Sequence, residues 1–136
     1  MKLYLIAGES SGDFIGASLI KSLQNIDETE RNIEFYGVGG PKMQDSGINS
    51  LFSIDQINLM GFLEVLPHLL KISKLIERTV EDILSKNVDM VITIDSPGFT
   101  YRVAERIRAI APPPRLQSPT FRQKQTEPID KCLLLN

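Results

Sequence analysis

A chain of 136 residues can bury one core but is short for an enzyme that must enclose two large substrates, so a single domain is expected. Its 15 Lys and Arg are interspersed with 17 Asp and Glu for a formal net charge of −2, which leaves no basic block of the kind nucleic acid requires. One cysteine, Cys132, excludes an internal disulfide, and with one histidine there is no Cys/His set for zinc; a reducing cytosol fits.

The chain starts MKLYLIAGES, and only the five residues Leu3 to Ala7 are apolar before Gly8 and Glu9, too few for the apolar region of a signal peptide. That run has no polar alternation, so it predicts a strand covered on both faces and ending at Gly8. From Asp13 to Leu23 the residues Phe14, Ile15, Ala17, Ser18/Leu19 and Leu23 follow helical spacing, with Ser11 or Asp13 placed to cap the start. A second strand, Ile33 to Tyr36, runs into GVGGP. A third, Val88 to Ile94, runs into DSPG before an amphipathic helix from about Thr100 to Ile110.

Between these strands, Pro67 suits the first position of a long helix. Its Leu69, Ile72, Ile76, Val80 and Ile83 form a core stripe opposite Lys74, Arg78, Glu81 and Asp82. The segment from Ile57 to Ile72 has ten apolar residues in sixteen but is broken by Glu64, Pro67 and Lys71, so it does not span a bilayer. Phe62, Leu63, Leu66 and Leu70 exceed what one core stripe needs. A membrane interface, with Lys71, Lys74 and Arg78 at the headgroups, and a packing surface for a further domain or partner are equally open readings; His68 among them reads as interfacial filling.

Helices joining apolar strands imply right-handed crossovers and an α/β, Rossmann-like three-layer parallel sheet. Ligands in such sheets lie beyond the carboxyl ends of the strands, where GESSGD, GVGGP and DSPG all fall. Three loops are therefore expected on one rim. After Ala111 the sequence PPPRLQSPTFRQKQTEPIDKCLLLN carries five prolines and no period, which predicts an irregular or disordered tail over 112–136. The fourth strand that the plan wants is then missing, and one face of the sheet is left poorly covered.

Each loop has two readings. GESSGD puts backbone N–H groups and two hydroxyls at a helix start, which suits an anion, yet lacks the Gly-Lys-Ser/Thr end of a P-loop and any G-x-G-x-x-G. Equally, Ser11 caps, Asp13 complements the dipole, and Gly12 and Gly16 allow close packing; Glu9, which neither structural role requires, favours a ligand. GVGGP reads as a sharp turn or as backbone brought close to something bulky. DSPG reads as an ordinary turn or as a carboxylate, Asp95, at the end of an apolar strand, where desolvation would raise its pKa toward that of a general base.

Taken together, AGESSGDFIGASLI, FYGVGGPKMQDSGI, LMGFLEVLP and TIDSPGF, in this order and spacing, resemble the lipid-A-disaccharide synthase family over Met1 to about Ala111. The resemblance implies the N-terminal half of a GT-B fold, incomplete here: a Rossmann-like glycosyltransferase domain over 1–111 followed by the tail 112–136. It implies an inverting transfer of 2,3-diacylglucosamine from UDP-2,3-diacylglucosamine to 2,3-diacylglucosamine 1-phosphate, with no metal and no cofactor. Asp95 matches the first aspartate of the family's Ile-Asp-Ala-Pro-Asp-Phe run and is implied as the catalytic base; Ser96 stands where the alanine would be and Gly98 where the second aspartate would be.

By the same matching, Gly8, Glu9, Ser11, Gly12 and Asp13 line the acceptor side of the cleft, and Gly39, Gly40 and Pro41 form its floor. Met60, Phe62, Leu63, Val65, Leu66 and Leu69 meet acyl chains at the cytoplasmic face of a bacterial inner membrane, to which the protein would be peripherally bound. The family's Pro-Ser-Val-Trp-Ala-Trp run is replaced after Ala111 by PPPRLQSP, and the chain has no tryptophan. A truncated form lacking the UDP-binding domain is therefore expected, with a separately encoded C-terminal half as an implied partner. An inactive remnant and a small nucleotide-binding α/β module are the alternatives.

Overall fold

Leu3 to Ala7, the apolar run without alternation, lies inside the central strand of a parallel sheet. The computed structural model describes residues 1–26, 32–58, 65–110 and 132–135. In chain order the elements are β1 (Lys2–Ala7), α1 (Ser10–Ile26), β2 (Glu34–Val38), α2 (Pro41–Asp45) and β3 (Asn49–Ser50). Then follow α3 (Asp55–Asn58), α4 (Val65–Lys86), β4 (Met90–Ile94), α5 (Pro97–Ile110) and β5 (Cys132–Leu135). The sheet order is β3-β2-β1-β4-β5, and every pairing is parallel, with Leu5 opposite both Gly37 and Ile92.

Side chains of β1 alternate between two cores, as the pleat requires. Leu3, Leu5 and Ala7 pack with Ile92, Ile94, Ala17 and Ile20 of α1 and Met43 of α2. Tyr4 and Ile6 pack on the other face with Ile72, Ile76, Val80 and Ile83 of α4 and with Phe99, Val103 and Ile107 of α5. Both faces are therefore covered, contrary to the expectation of one poorly covered face. β5 adds a strand beside β4, pairing Val91 with Cys132 through to Ile94 with Leu135. The expected irregular run over 112–136 is corrected at these four residues: Cys132 to Leu135 are consecutive apolar side chains whose strand signal is diluted by the proline-rich sequence before them.

Further boundaries move for identifiable reasons. The expected helix start near Asp13 shifts to Ser10, because the Asp13 N–H already bonds the Glu9 carbonyl at 2.9 Å. Glu9 is thus the residue at the cap. Phe14 and Ile15, expected in the core stripe of α1, are instead 59% and 49% exposed. The face turned to the sheet and α2 is Gly12, Asp13, Gly16, Ala17 and Ile20, small enough at Gly16 that an added Cβ would meet Met43 Sδ at 2.5 Å. Close approach of the helix selects small residues and sends the phenyl ring outward, where Lys42 Nζ sits 4.7 Å from its centroid.

Pro67 falls on the third residue of α4, within the first turn where amide donors have no helical partner. The described core face of α4 is Ile72, Leu75, Ile76, Thr79, Val80 and Ile83, while Lys74, Arg78 and Glu81 are exposed. Asp82, expected on the solvent side, is half-buried and accepts the Tyr4 hydroxyl at 2.9 Å beside Lys86 Nζ at 3.3 Å. Burial first, and the Asp82 carboxylate second, push the Tyr4 phenol far above its ordinary value, so it remains a donor.

Gly37, in β2, has φ +148°, and a Cβ built there would lie 1.8 Å from the Leu5 carbonyl oxygen. Gly37→Ala must therefore push β2 away from β1. The expected loss is about 3 kcal/mol or more in urea unfolding, and a loss under about 0.5 kcal/mol would contradict this packing.

Candidate functional site

A parallel sheet carries the carboxyl ends of all its strands to one edge, so Glu9 after β1, Gly39 after β2 and Asp95 after β4 share a rim, as expected. Strand order reverses between β1 and β4, which makes their common end the crevice where such sheets hold ligands. Ala7 pairs with Ile94, so Gly8 and Asp95 leave the sheet side by side. The two turns touch: a Cβ at Gly8 would lie 2.3 Å from both Cβ and Oγ of Ser96.

Asp95 and Ser96 have φ of 57° and 54°, a left-handed conformation that costs a non-glycine residue on the order of 1 kcal/mol. Local bonds hold it. Thr100 Oγ1 donates to the carbonyls of Asp95 at 3.1 Å and Ser96 at 3.0 Å. The Ser96 N–H donates to Asp95 Oδ1 at 2.7 Å, and Ser11 Oγ donates to Asp95 Oδ2 at 2.7 Å. The Ser11 hydrogen bond first, and the Ser96 amide second, lower the Asp95 pKa against a smaller opposing effect of desolvation. The expectation that desolvation raises this carboxyl is thus corrected, because donors to the charged form outweigh it. Asp95 stands half-buried as a carboxylate, with about two of its roughly four acceptor positions taken.

Asp13 has a different task from the one expected. It is 3% exposed, and its carboxylate accepts the N–H groups of Gly40 at 2.8 Å, Lys42 at 3.0 Å and Met43 at 3.0 Å. Gly40 is the N-cap of α2 and has no side chain to bond the helix amides, so Asp13 of α1 serves as the cap from outside. A Cβ on Gly40 would lie 2.6 Å from Asp13 Oδ2, the space the carboxylate fills. Gly39 is likewise buried, its N–H bonded to Ser50 Oγ at 3.0 Å and its missing Cβ replaced by Met43 Sδ 2.6 Å away. Asp13, Gly39 and Gly40 therefore build the rim, with the Asp13 carboxylate and the N–H groups of Gly39 and Gly40 bonded within the protein.

Among the described residues, the groups open to solvent at the mouth are Glu9, Ser10 and Ser11, with the half-buried Asp95 beside them and Pro41 and Gly98 exposed at the starts of α2 and α5. Gly12 is buried against the Ile94 carbonyl oxygen, 3.1 Å from an added Cβ. Met60, Phe62 and Leu63 lie outside the described residues, as do the side chains of Val65, Leu66 and Leu69. Thr100 and Ser96, which shape the Asp95 turn, were missed as site residues; their only sequence signal is that both follow Asp95 within five positions.

An all-parallel sheet with a carboxylate and hydroxyls at its switch point defines a Rossmann-like α/β module. The family described as lipid-A-disaccharide synthetase matches residues 3–116, and the chain belongs to that family. It is 54% identical over 112 residues to a lipid-A-disaccharide synthase of Rickettsia typhi, and 56% identical over 112 residues to that of Rickettsia felis. In each case the match covers 82% of this chain and 28% of the relative, so the chain spans little more than a quarter of the length of these proteins. The family read from the four motifs is the one matched, and it belongs to the glycosyltransferases of lipid A biosynthesis.

Proposed function

We propose that this chain forms the acceptor wall of a GT-B lipid-A-disaccharide synthase, transferring 2,3-diacylglucosamine from UDP-2,3-diacylglucosamine to 2,3-diacylglucosamine 1-phosphate. The observation that carries this reading is the Asp95 carboxylate, held in the β1–β4 mouth of a family member and kept ionised by Ser11 and the Ser96 amide. The acceptor hydroxyl oxygen attacks the anomeric carbon, its proton passes to Asp95, and the bond to UDP breaks with its electron pair leaving on the diphosphate. Configuration inverts. A weak base suffices, since the hydroxyl grows acidic as its oxygen bonds to carbon.

Gly8, Glu9 and Ser11 border the acceptor sugar, Gly12 and Pro41 flank it, and Asp13, Gly39 and Gly40 hold the rim that contains it. Donor binding is assigned to sequence beyond the matched residues, on the same or a separate polypeptide. The acyl chains are assigned to Met60, Phe62, Leu63, Val65, Leu66 and Leu69, at the cytoplasmic face of the inner membrane. Leu70, 70% exposed and followed by exposed Lys71 and Lys74, supports that surface. Among the described residues no helix is long and apolar enough to cross a membrane.

The test is to incubate both substrates with the chain, alone and mixed with the remaining portion of the Rickettsia typhi relative, and to detect product by mass spectrometry. Disaccharide 1-phosphate in the mixture is expected. Its absence from both, with each portion folded, would overturn the assignment.

A further inference from the structure

Ser11 lies on the first turn of α1, and its hydroxyl crosses the mouth to Asp95 Oδ2 at 2.7 Å, joining positions 84 apart in sequence. The span is set by backbone packing. At the adjacent Gly12, an added Cβ would lie 3.1 Å from the Ile94 carbonyl oxygen and 3.4 Å from Asp95 Cβ, so the helix start is pressed against the end of β4. The second carboxylate oxygen, Oδ1, is fixed independently by the Ser96 N–H. Two donors, one from α1 and one from the turn after β4, thus define the plane of one carboxylate, on a turn that holds Asp95 and Ser96 in the sparsely populated left-handed region.

We infer that Ser11 is a positioning residue: beyond bordering the acceptor sugar, its hydroxyl clamps the Asp95 carboxylate so that the proton-accepting oxygen keeps one place in the β1–β4 mouth. The inference rests on the reading of Asp95 as the base. The surroundings are simple. From α1 comes Ser11, from the end of β1 comes Gly8, and from α5 comes Thr100, none of them titratable, while Glu9 stands exposed at the same mouth. Ser11 is exposed, so its truncation leaves no hole in the core.

Two readouts separate this role from a merely structural one. The first is the carbon-13 NMR titration of the Asp95 carboxyl in the chain itself. Ser11→Ala moves its midpoint up toward the ordinary carboxylate value, and Ser11→Thr, which restores the donor, returns it. The second is the pH profile of transfer in the mixed assay. Ser11→Ala lowers kcat about tenfold with KM nearly unchanged, its acid limb moves up with the NMR midpoint, and Ser11→Thr recovers both.

An unmoved midpoint in Ser11→Ala overturns the clamp whatever the activity. A moved midpoint with an unchanged profile overturns the positioning role and leaves the bond structural. If instead Asp95→Asn retains full turnover while the Ser11→Ala midpoint moves, the base assignment fails, and the inference falls with it by a route the other two results do not share.

Discussion

Asp13→Ala is expected to lower the free energy of unfolding by about 3–5 kcal/mol, because three amide donors lose their acceptor at once and each orphaned buried donor costs roughly 1–3 kcal/mol. The donors belong to Gly40, Lys42 and Met43, the N-cap and first turn of α2. Gly40 offers no replacement side chain, and its N–H and that of Met43 are buried away from water. Asp13→Asn provides the finer test. Its single carbonyl oxygen can keep the bonds of Gly40 and Met43 to Oδ1, while its amide nitrogen faces the Lys42 N–H. It should therefore lose about half as much as alanine. Urea unfolding followed by circular dichroism measures both; two variants within about 0.5 kcal/mol of the parent would show that the α2 cap is not built this way.

Asp95→Asn should affect activity far more than stability. The amide is nearly isosteric, and its oxygen can still accept the Ser11 hydroxyl, so the fold persists. It has no affinity for the acceptor proton, so transfer in the mixed assay should drop by about 10²–10⁴. A drop smaller than about threefold would remove Asp95 from the chemistry. The same residue makes a signed contribution to acid stability. Its folded pKa is depressed, so the stabilisation is present above the unfolded value and disappears as pH falls through the folded one. Asp95→Asn should abolish that part of the acid sensitivity; an unaltered acid profile would mean the Ser11 and Ser96 bonds do not favour the charged form in solution.

The general plan was legible because burial leaves a period in the sequence. Leu3 to Ala7 announces a strand covered on both faces, and Ile72, Ile76, Val80 and Ile83 announce the inner stripe of α4. That GESSGD, GVGGP and DSPG share an edge follows from parallel pairing alone. The long-range partners were not legible. Asp13 reads locally as a dipole complement to its own helix, and nothing near it in sequence tells that its carboxylate caps α2, whose amides lie 27 to 30 positions away. Phe14 and Ile15 fit helical spacing, yet the packing of Gly12 and Gly16 turns that face toward small residues. The left-handed turn at Asp95 and Ser96 has no glycine to mark it, so nothing in the sequence shows the donors that lower the Asp95 pKa against desolvation. At Cys132 to Leu135, four apolar residues were averaged into a proline-rich context.

The most direct test of the central claim, that the β1–β4 mouth receives the acceptor, is an amide NMR titration of this chain with 2,3-diacylglucosamine 1-phosphate in detergent micelles, referenced to empty micelles. Saturable shifts concentrated at Gly8 to Ser11 and at Asp95, Ser96 and Gly98 to Thr100 are predicted, with Lys2 and Asp89 at the opposite edge of the sheet unmoved. Shifts confined to other surfaces, or none beyond those of the micelles, would contradict it.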